Sequence, residues 1–211
     1  MNGSPSFVFD LDKTLSRANI SVAFGRALYR KGYFSALSTL LFAFCYALNL
    51  FYLLPLHALH KISFWLLFYH KRQNELIPYV EEFLKTDLTP LLRKEMIEEL
   101  EAKKRCGVVW IVSSSPDFLV RRVAERLQVT NVIATTYALD SMGRFSHCQE
   151  IIDGHHKLVA ITKIASPEEM TFYSDSAEDL PLLERVTHPI AVFPDRRLKK
   201  IAQKNGWKII E

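Results

Sequence analysis

Short apolar runs that end in polar side chains recur along this chain, and helical stretches separate them. The apolar runs cover residues 6–9, 108–112, 170–173 and 190–193. The helical stretches cover residues 89–104, 117–127, 157–164 and 196–204. Buried strands that alternate with helices are typical of a mostly parallel sheet covered by helices. The sequence therefore predicts an α/β fold with a Rossmann-like parallel core, in which ligands bind beyond the carboxyl ends of the strands.

Residues 17–83 interrupt this alternation directly after the first strand. They are rich in aromatic and aliphatic residues and helical in character, which predicts an inserted, strongly hydrophobic helical cap. We therefore assign residues 1–16 and 84–211 to one α/β core and residues 17–83 to the insertion. A chain of 211 residues, of which 49% are hydrophobic, is long and apolar enough for one domain with such an insertion.

Charge is unevenly distributed along the chain, although the formal net charge of +4 is small. No acidic residue lies between Asp12 and Glu75. The same segment contains the basic residues Lys13, Arg17, Arg26, Arg30, Lys31, Lys61, Lys71 and Arg72. This bias indicates an anionic partner, such as a phosphate group or an acidic membrane surface. Aliphatic and aromatic residues separate the basic ones, so no polar basic patch forms and we expect no nucleic-acid partner.

Two carboxylates that lie two residues apart, Asp10 and Asp12, follow the first predicted strand. An ionised carboxylate attacks phosphorus without needing a base. A neighbouring carboxylic acid can protonate the leaving oxygen and later deprotonate an attacking water. An Asp-rich turn is the ordinary alternative, so the interpretation depends on the residues at the ends of the other strands.

Polar residues also follow the second strand. Ser113 can donate its hydroxyl and backbone N–H to a phosphate oxygen, and Ser114 lies beside it. A helix that starts near Asp117 has an N-terminus that favours anions. Lys157 adds a positive charge near another helix start. Taken singly, such serines are more often an ordinary helix cap, and an isolated lysine is by default a solvated surface residue.

Two further carboxylates, Asp175 and Asp179, lie four residues apart after the third strand. Oxygen ligands from Asp10, the Asp12 backbone and Asp175, completed by waters, suit a small hard cation such as Mg²⁺. Such a cation would offset the repulsion between an anionic nucleophile and an anionic phosphate. The sequence therefore predicts a magnesium site next to the nucleophile.

The ordered motifs resemble those of the haloacid dehalogenase superfamily of phosphatases, in particular its phosphoserine phosphatase-like branch, subfamily IB. The motifs are Asp10-x-Asp12-x-Thr14, Ser113, Lys157 and Asp175-x-x-x-Asp179. The resemblance implies that Asp10 forms an aspartyl-phosphate and that Asp12 is the general acid and base. It implies phosphate binding by Ser113, Ser114 and Lys157, and Mg²⁺ binding by Asp10, Asp12 and Asp175.

The same resemblance implies supporting roles for Asp179 and Thr14. Asp179 would orient Lys157 or a metal-bound water. One departure concerns the residues after Ser113, which are Ser114-Ser115-Pro116 rather than the Gly-Gly common in phosphoserine phosphatases. The insert also shows no acidic and basic pair that matches recognition of an amino acid, which argues against phosphoserine itself as the substrate.

The insert contains an uncharged segment from Gly32 to His60, long enough to pass the threshold of roughly 18 residues for a spanning helix. The site residues lie before and after the insert, so the chain has to return to the side that it left. Turn signals at Asn49 and Pro55 predict a helical hairpin over residues 33–69 with arms of about 24 Å. Such arms favour a re-entrant or interfacial hairpin. A soluble cap or a dimer interface is the alternative.

The hydrophobic insert and the sequence Tyr173-Ser174-Asp175-Ser176 also resemble the phosphatidylglycerophosphatase C type of the same branch. This second resemblance implies a lipid phosphate such as phosphatidylglycerophosphate, cleaved on the cytoplasmic side of the cell membrane. A soluble cytoplasmic phosphatase for a small metabolite and a non-catalytic membrane scaffold remain as alternatives.

The chain has three cysteines, Cys45, Cys106 and Cys148. Their spacing matches no metal site or redox motif, which predicts free thiols in a reducing compartment.

Overall fold

A single sheet of seven strands organises the chain, whose computed structural model describes residues 5–51, 53–164 and 166–211. The strands are β1 (Ser6–Asp10), β2 (Val108–Pro116), β3 (Asn131–Leu139), β4 (Phe145–Glu150), β5 (Met170–Ser174), β6 (His188–Val192) and β7 (Lys208–Ile210). Their order in the sheet is β4-β3-β2-β1-β5-β6-β7. All neighbours are parallel except β3 and β4, which are antiparallel. The predicted α/β fold with a mostly parallel sheet is confirmed.

Helices connect the strands and form the insert. They are α1 (Ile20–Arg30), α2 (Ala36–Leu50), α3 (Leu56–Ser63), α4 (Gln73–Thr86), α5 (Leu88–Leu91), α6 (Lys94–Lys104), α7 (Asp117–Arg126), α8 (Gly154–Thr162), α9 (Leu180–Leu183) and α10 (Arg196–Asn205). A π-helical turn over Phe64–Phe68 continues α3. Short 3-10 turns over Pro167–Glu169 and Ala177–Asp179 precede β5 and α9.

Strand β1 lies at the centre of the sheet, and all five of its residues are buried. It pairs with β2 on one side and with β5 on the other, so that Phe9 is in register with both Ile111 and Tyr173. The rings of Phe9 and Tyr173 stack with their centroids 4.2 Å apart. Because the three strands are parallel and in close register, their carboxyl ends meet at one edge of the sheet.

Three predicted elements differ from the observed ones by more than two residues or by a break. Strand β2 continues beyond residue 112 to Pro116, which pairs with Thr135 after an irregularity in the ladder. The helix predicted over residues 89–104 is divided into α5 and α6, because Leu92 is extended and forms a bridge with Ser16. Helix α8 begins at Gly154, before the predicted start at residue 157, because the Asp153 side chain caps it.

Strands β3, β4 and β7 were not predicted. The first two form a hairpin whose turn is held by Asp140, since its Oδ1 accepts from the N–H groups of Met142 and Arg144 at 2.9 Å. Burial along β3 and β4 is mixed, so neither strand has a continuous apolar run or a clean alternation in its sequence. The signal on which the strand predictions rest is therefore missing from both.

The insert between β1 and β2 contains α1 to α4. Helices α1 and α4 each bury one apolar side, whereas α2 has no buried residue. Helix α2 packs against α3 and its π-helical continuation, and the turn between them lies where the predicted hairpin of residues 33–69 turns. Residue 52 of that hairpin lies outside the described residues. Helix α4 continues through Thr86 and so crosses the predicted domain boundary at residue 83.

The length and hydropathy of the helices bear on whether the insert spans a membrane. Within residues 5–51, 53–164 and 166–211, no helix is both long enough and apolar enough to cross one.

A close backbone approach at Gly154 generates a stability prediction. A Cβ atom on Gly154 would stand 1.8 Å from the carbonyl oxygen of Glu178. We expect Gly154→Ala to lower the free energy of unfolding by about 1–3 kcal/mol, because the backbone of the next turn has to move. Urea unfolding monitored by circular dichroism measures this change.

The matched control is Gly25→Ala in α1, where no described atom outside the neighbouring residues and the local helix backbone lies within 4 Å of the added Cβ. Alanine is favoured over glycine in a helix by about 1 kcal/mol, so this variant should be as stable as the wild type or more stable. Equal stabilities of Gly154→Ala and Gly25→Ala would contradict the predicted steric conflict.

Candidate active site

The carboxyl ends of β1, β2 and β5 bring the predicted site residues to one cleft. Asp10 is the last residue of β1, Ser113 lies in the extended end of β2, and Asp175 directly follows β5. Lys157 reaches the same place from α8. The cleft is lined at this end by Asp10, Asp12, Lys13, Ser114, Lys157, Asp175, Glu178, Asp179 and Asp195. Parallel pairing therefore explains why residues distant in sequence share one site.

A tight turn directly after Asp10 positions Asp12. Asp12 is extended, with φ −74° and ψ 121°, whereas Lys13 is left-handed with φ 62°. The Lys13 N–H donates to Ser16 Oγ at 3.2 Å. The Arg93 Nε donates to the carbonyl oxygens of Lys13 and Ser16, both at 3.3 Å. The turn is thus held from outside, and both aspartates line the same cleft.

Lys157 is the buried centre of the site. Its Nζ donates to Asp10 Oδ1 at 2.6 Å and to Asp179 Oδ2 at 2.9 Å. Lys157 and Asp179 are each 3% exposed, and Asp10 is 5% exposed. Burial alone would lower the pKa of Lys157, but attraction to Asp10 and Asp179 outweighs it and raises the pKa above its ordinary value. Lys157 is therefore a fixed cation between two carboxylates.

Asp179 is held by a second contact that the sequence reasoning missed. Ser174 Oγ donates to Asp179 Oδ2 at 2.7 Å and is itself fully buried. Because Asp179 accepts from both Ser174 and Lys157, its carboxylate holds the ammonium group in place over Asp10. The serine is the last residue of β5, next to Asp175. The sequence named it only as part of the motif Tyr173-Ser174-Asp175-Ser176 and gave it no role in the site.

Asp12 accepts hydrogen bonds on both carboxylate oxygens. Ser115 Oγ donates to Oδ2 at 2.5 Å, and Ser113 Oγ is 3.2 Å from the same atom. The backbone N–H of Ile20 donates to Oδ1 at 2.6 Å. Burial raises the pKa of Asp12, and these hydrogen bonds only partly oppose the rise, which favours the protonated acid.

The serine triplet at the end of β2 divides into three environments. Ser113 is fully buried. Its Oγ accepts a hydrogen bond from the N–H of Ser115 at 3.0 Å and donates one to Asp12. Ser114 lines the cleft and is partly exposed. Ser115 was not among the predicted site residues. Its Oγ donates to Asp12 and accepts a hydrogen bond from the hydroxyl of Ser21 in α1 at 2.6 Å.

Asp175 lies in the cleft on the side of β5. Thr14 Oγ1 donates to Asp175 Oδ1 at 3.4 Å, a long hydrogen bond between buried groups. The Asp175 carbonyl oxygen accepts from the N–H of Asp195 at 2.8 Å. Burial raises the pKa of Asp175 to about 7, and the nearby Lys13 only partly opposes this rise. Asp195 was not among the predicted site residues. Its carboxylate caps α10 and accepts a hydrogen bond from the N–H of Ala177.

Carboxylates outnumber basic groups among the described residues that line the cleft. The acidic ones are Asp10, Asp12, Asp175, Glu178, Asp179 and Asp195, and the basic ones are Lys13 and Lys157. Burial raises the pKa of Asp10 well above its ordinary value, Lys157 opposes the rise, and Asp179, Asp175 and Asp12 add to it. The negative charge is thus only partly balanced, and the donors are hard oxygen atoms. Such a donor set fits a small divalent cation.

A cation in this cleft would have few protein ligands. Within the described ranges, no three or more His, Cys, Asp or Glu side chains form a metal-binding cluster. Magnesium needs fewer protein ligands, because it keeps several waters and is held by one or two carboxylates. Asp10, Asp175 and the carbonyl oxygen of Asp12 are the atoms that would hold it.

The cleft continues from the carboxylates into a chamber under the insert. We use this name for the part lined by Phe24, Phe34, Phe42, Tyr46, Asn49, Leu50, Leu56, Leu59, His60, Ser63, Leu67, Phe68, Phe118, Leu119 and Tyr137. None of these residues carries a carboxylate, an ammonium or a guanidinium group. Burial lowers the pKa of His60 to about 4, and the neighbouring His57 contributes to the decrease, so the imidazole is neutral at pH 7.

The sequence matches known hydrolases along most of its length. Residues 7–184 match the family model for haloacid dehalogenase-like hydrolases. A probable phosphatase of Mycobacterium tuberculosis is 29% identical over 218 residues, which cover 96% of this chain and 73% of the relative. A phosphoserine phosphatase of the same species is 30% identical over 221 residues, which cover 95% of this chain and 68% of the relative.

A solved structure shares nearly the whole fold. A Bordetella pertussis protein of unknown function has a TM-score of 0.87 and 25% sequence identity, and the match covers 99% of each chain. The similarity therefore includes the insert as well as the sheet.

The buried position of Lys157 generates the second prediction. Lys157→Met removes the cation and leaves Asp10 and Asp179 unpaired in a buried site. We expect the free energy of unfolding in metal-free buffer to fall by about 3–5 kcal/mol. The matched control is Lys31→Met, which removes an exposed ion pair with Glu82 and should cost no more than about 1 kcal/mol. Similar losses for both variants in urea unfolding would refute a structural role for the buried lysine.

Proposed function

The chain belongs to the haloacid dehalogenase-like hydrolase family, and we propose that it is a magnesium-dependent phosphomonoester hydrolase that forms an aspartyl-phosphate on Asp10. Its similarity to named phosphatases supports the reaction class. The observation that carries the proposal is the buried Lys157, whose ammonium group bonds Asp10 and Asp179 at the edge where β1, β2 and β5 end.

Asp10 is the nucleophile in this proposal. Lys157 holds its Oδ1 at 2.6 Å, and we assign Oδ2 to the attack on phosphorus. A bond forms between this oxygen and phosphorus while the bond from phosphorus to the leaving oxygen breaks. Bound Mg²⁺ supplies positive charge that offsets the repulsion between the carboxylate and the phosphate. Lys157 adds positive charge next to Asp10 Oδ1.

Asp12 moves the proton in both steps. Its raised pKa favours the neutral acid, which protonates the leaving oxygen as the aspartyl-phosphate forms. The resulting carboxylate then accepts a proton from the water that attacks phosphorus and releases inorganic phosphate from Asp10. Ser113 and Ser115 hold the Asp12 carboxylate. We assign Ser114, which lines the cleft, to donate to a phosphate oxygen.

Phosphate release tests this proposal. With Mg²⁺ present, Asp10→Asn should lower kcat on any accepted phosphomonoester by at least about 1000-fold, because the amide cannot act as the nucleophile. Chelation of Mg²⁺ should abolish turnover of the wild type, and added Mg²⁺ should restore it. Asp140→Asn is the matched control, since Asp140 lies in the exposed turn between β3 and β4. Wild-type turnover by Asp10→Asn would exclude the covalent mechanism.

We also propose that the insert docks on an anionic membrane surface. The supporting observation is a set of exposed apolar side chains, which we call the apolar face. It comprises Leu37, Leu40 and Phe44 on α2 and Phe51 and Leu53 on the following turn. Each of these five residues is at least 61% exposed. Contiguous exposed apolar groups of this kind mark interaction sites.

The partner and the substrate follow from charge and from the resemblance to the phosphatidylglycerophosphatase C type. Residues 13–74 carry basic but no acidic side chains, which favours an anionic lipid surface at the cytoplasmic side of a cell membrane. A lipid phosphate, with phosphatidylglycerophosphate first, is then the substrate to test. A soluble cytoplasmic enzyme acting on a small phosphorylated metabolite is the second candidate, favoured by the 30% identity to a phosphoserine phosphatase.

Vesicle sedimentation separates these two candidates. We expect the protein to sediment with vesicles that contain anionic lipid, and Leu40→Glu with Phe44→Glu to reduce the bound fraction by at least about tenfold. Met142→Glu is the control, because Met142 is exposed and apolar but lies in the turn between β3 and β4. Equal partitioning of all three proteins, or a wild type that stays in the supernatant, would favour the soluble enzyme.

A further inference from the structure

The cleft that holds the carboxylates has a second, apolar half. We infer that the chamber under the insert is a binding site for the leaving group of the substrate and takes an apolar, uncharged group. This inference rests on the proposed phosphatase activity of the same site. It differs from membrane docking, because docking concerns the outer side of the insert and the chamber is its inner side.

The apolar lining comes from both the insert and the core. Phe24 of α1, Leu59 of α3 and the neighbouring Phe68 are buried side chains of the insert. Phe118 and Tyr137 line the chamber from the core side. Phe68 packs against Phe118 with ring centroids 5.7 Å apart and against Tyr137 at 5.9 Å. Aromatic and aliphatic walls of this kind bind apolar groups by removing them from water.

Charge is confined to the other half of the cleft. The charged lining residues are Asp10, Asp12, Lys13, Lys157, Asp175, Glu178, Asp179 and Asp195. The described part of the insert, residues 17–51 and 53–83, contributes no lining residue with a formal charge. An amino-acid leaving group would bring an ammonium and a carboxylate into the chamber without a counter-ion, which is unfavourable. The chamber therefore selects against phosphoserine-like substrates.

The polar groups of the chamber are neutral, and two of them are already bonded within the insert. Asn49 Nδ2 donates to the carbonyl oxygen of Leu54 at 2.9 Å, and Ser63 Oγ donates to that of Leu59 at 2.6 Å. The imidazole of His60 is neutral near pH 7, because burial lowers its pKa to about 4. These groups can orient a hydroxyl or an ester but cannot balance a charge.

Size and access are consistent with a leaving group of moderate length. The cleft as a whole has a volume of about 280 Å³. A cavity of about 150 Å³ holds a benzene molecule, so the space beyond the phosphate site admits a ring or a short alkyl chain. Leu50 belongs to the lining and is also 53% exposed, next to Phe51 of the apolar face. The chamber thus opens beside the apolar face.

A series of n-alkyl phosphates from ethyl to hexyl tests the chamber. Because burial of each methylene group is favourable, kcat/KM should rise by roughly fourfold with each added methylene until the chamber is filled. Phenyl phosphate should be cleaved well and phosphoserine poorly. Binding is measured separately, by calorimetry with the matching alkyl phosphonates, which cannot be hydrolysed. The dissociation constant should fall with chain length in the same way.

Adjacent residues of α2 provide matched variants. Phe42 lines the chamber, whereas Leu41 is exposed and outside the lining. We expect Phe42→Ser to reduce the ratio of hexyl to ethyl phosphate kcat/KM by at least about tenfold. Leu41→Ser should keep the wild-type ratio. Because a ratio of two substrates is compared, partial loss of folded protein does not affect it.

The outcomes separate the chamber from the reaction. If phosphonates bind more tightly with increasing chain length but no ester releases phosphate, the proposed hydrolysis is refuted. The chamber would then still be supported as an apolar binding site. If rates and affinities do not depend on chain length, or if phosphoserine is preferred over hexyl phosphate, the inference that the chamber is an apolar binding site is wrong.

A phosphomonoester lipid in vesicles completes the series of substrates. Faster cleavage of the lipid than of hexyl phosphate assigns the apolar group to a lipid, and the reverse assigns it to a soluble ester.

Discussion

The ammonium group of Lys157 between Asp10 and Asp179 is the interaction on which the site depends. Several carboxylates converge at the edge of the sheet, and without a buried cation they would repel one another in a poorly solvated space. Lys157 reaches them because α8 starts against the backbone of Glu178, where only a glycine fits at position 154. The fold therefore supplies the positive charge from a different element than the ones that supply the carboxylates.

Parallel strand pairing made much of this site predictable from the sequence. Asp10, Ser113 and Asp175 each follow an apolar run, and the structure brings them to one edge, as expected of a parallel sheet. The chemical roles of these residues remain predictions. Lys157 at a helix start and Asp179 after the third strand were also selected from the sequence, and the resemblance suggested that Asp179 orients Lys157. Nothing in their local sequence shows that an ammonium and a carboxylate will meet 2.9 Å apart.

Other contacts could not be predicted, because they depend on how distant segments approach. Ser115 and the N–H of Ile20 hold Asp12. Neither group has a distinguishing signal in the sequence, because Ser115 is the third of three consecutive serines and the N–H of Ile20 is an ordinary backbone group. The mixed burial of β3 and β4 removed the periodic signal of those strands. In the insert, the sequence shows an uncharged apolar segment but not its two sides: Phe42 lines the chamber, while Phe44, two residues later, is 61% exposed.

The proposed nucleophile and the proposed general acid depend on different parts of the chain. Asp10, Lys157, Asp179 and Ser174 belong entirely to the predicted core. Asp12, by contrast, bonds the N–H of Ile20 at the start of α1, and Ser115 connects it to the hydroxyl of Ser21. A leaving group that fills the chamber would pack against Phe24 of the same helix. If Asp12 is the acid and the chamber binds the leaving group, one helix positions both, and correct binding and correct proton transfer would be linked through α1.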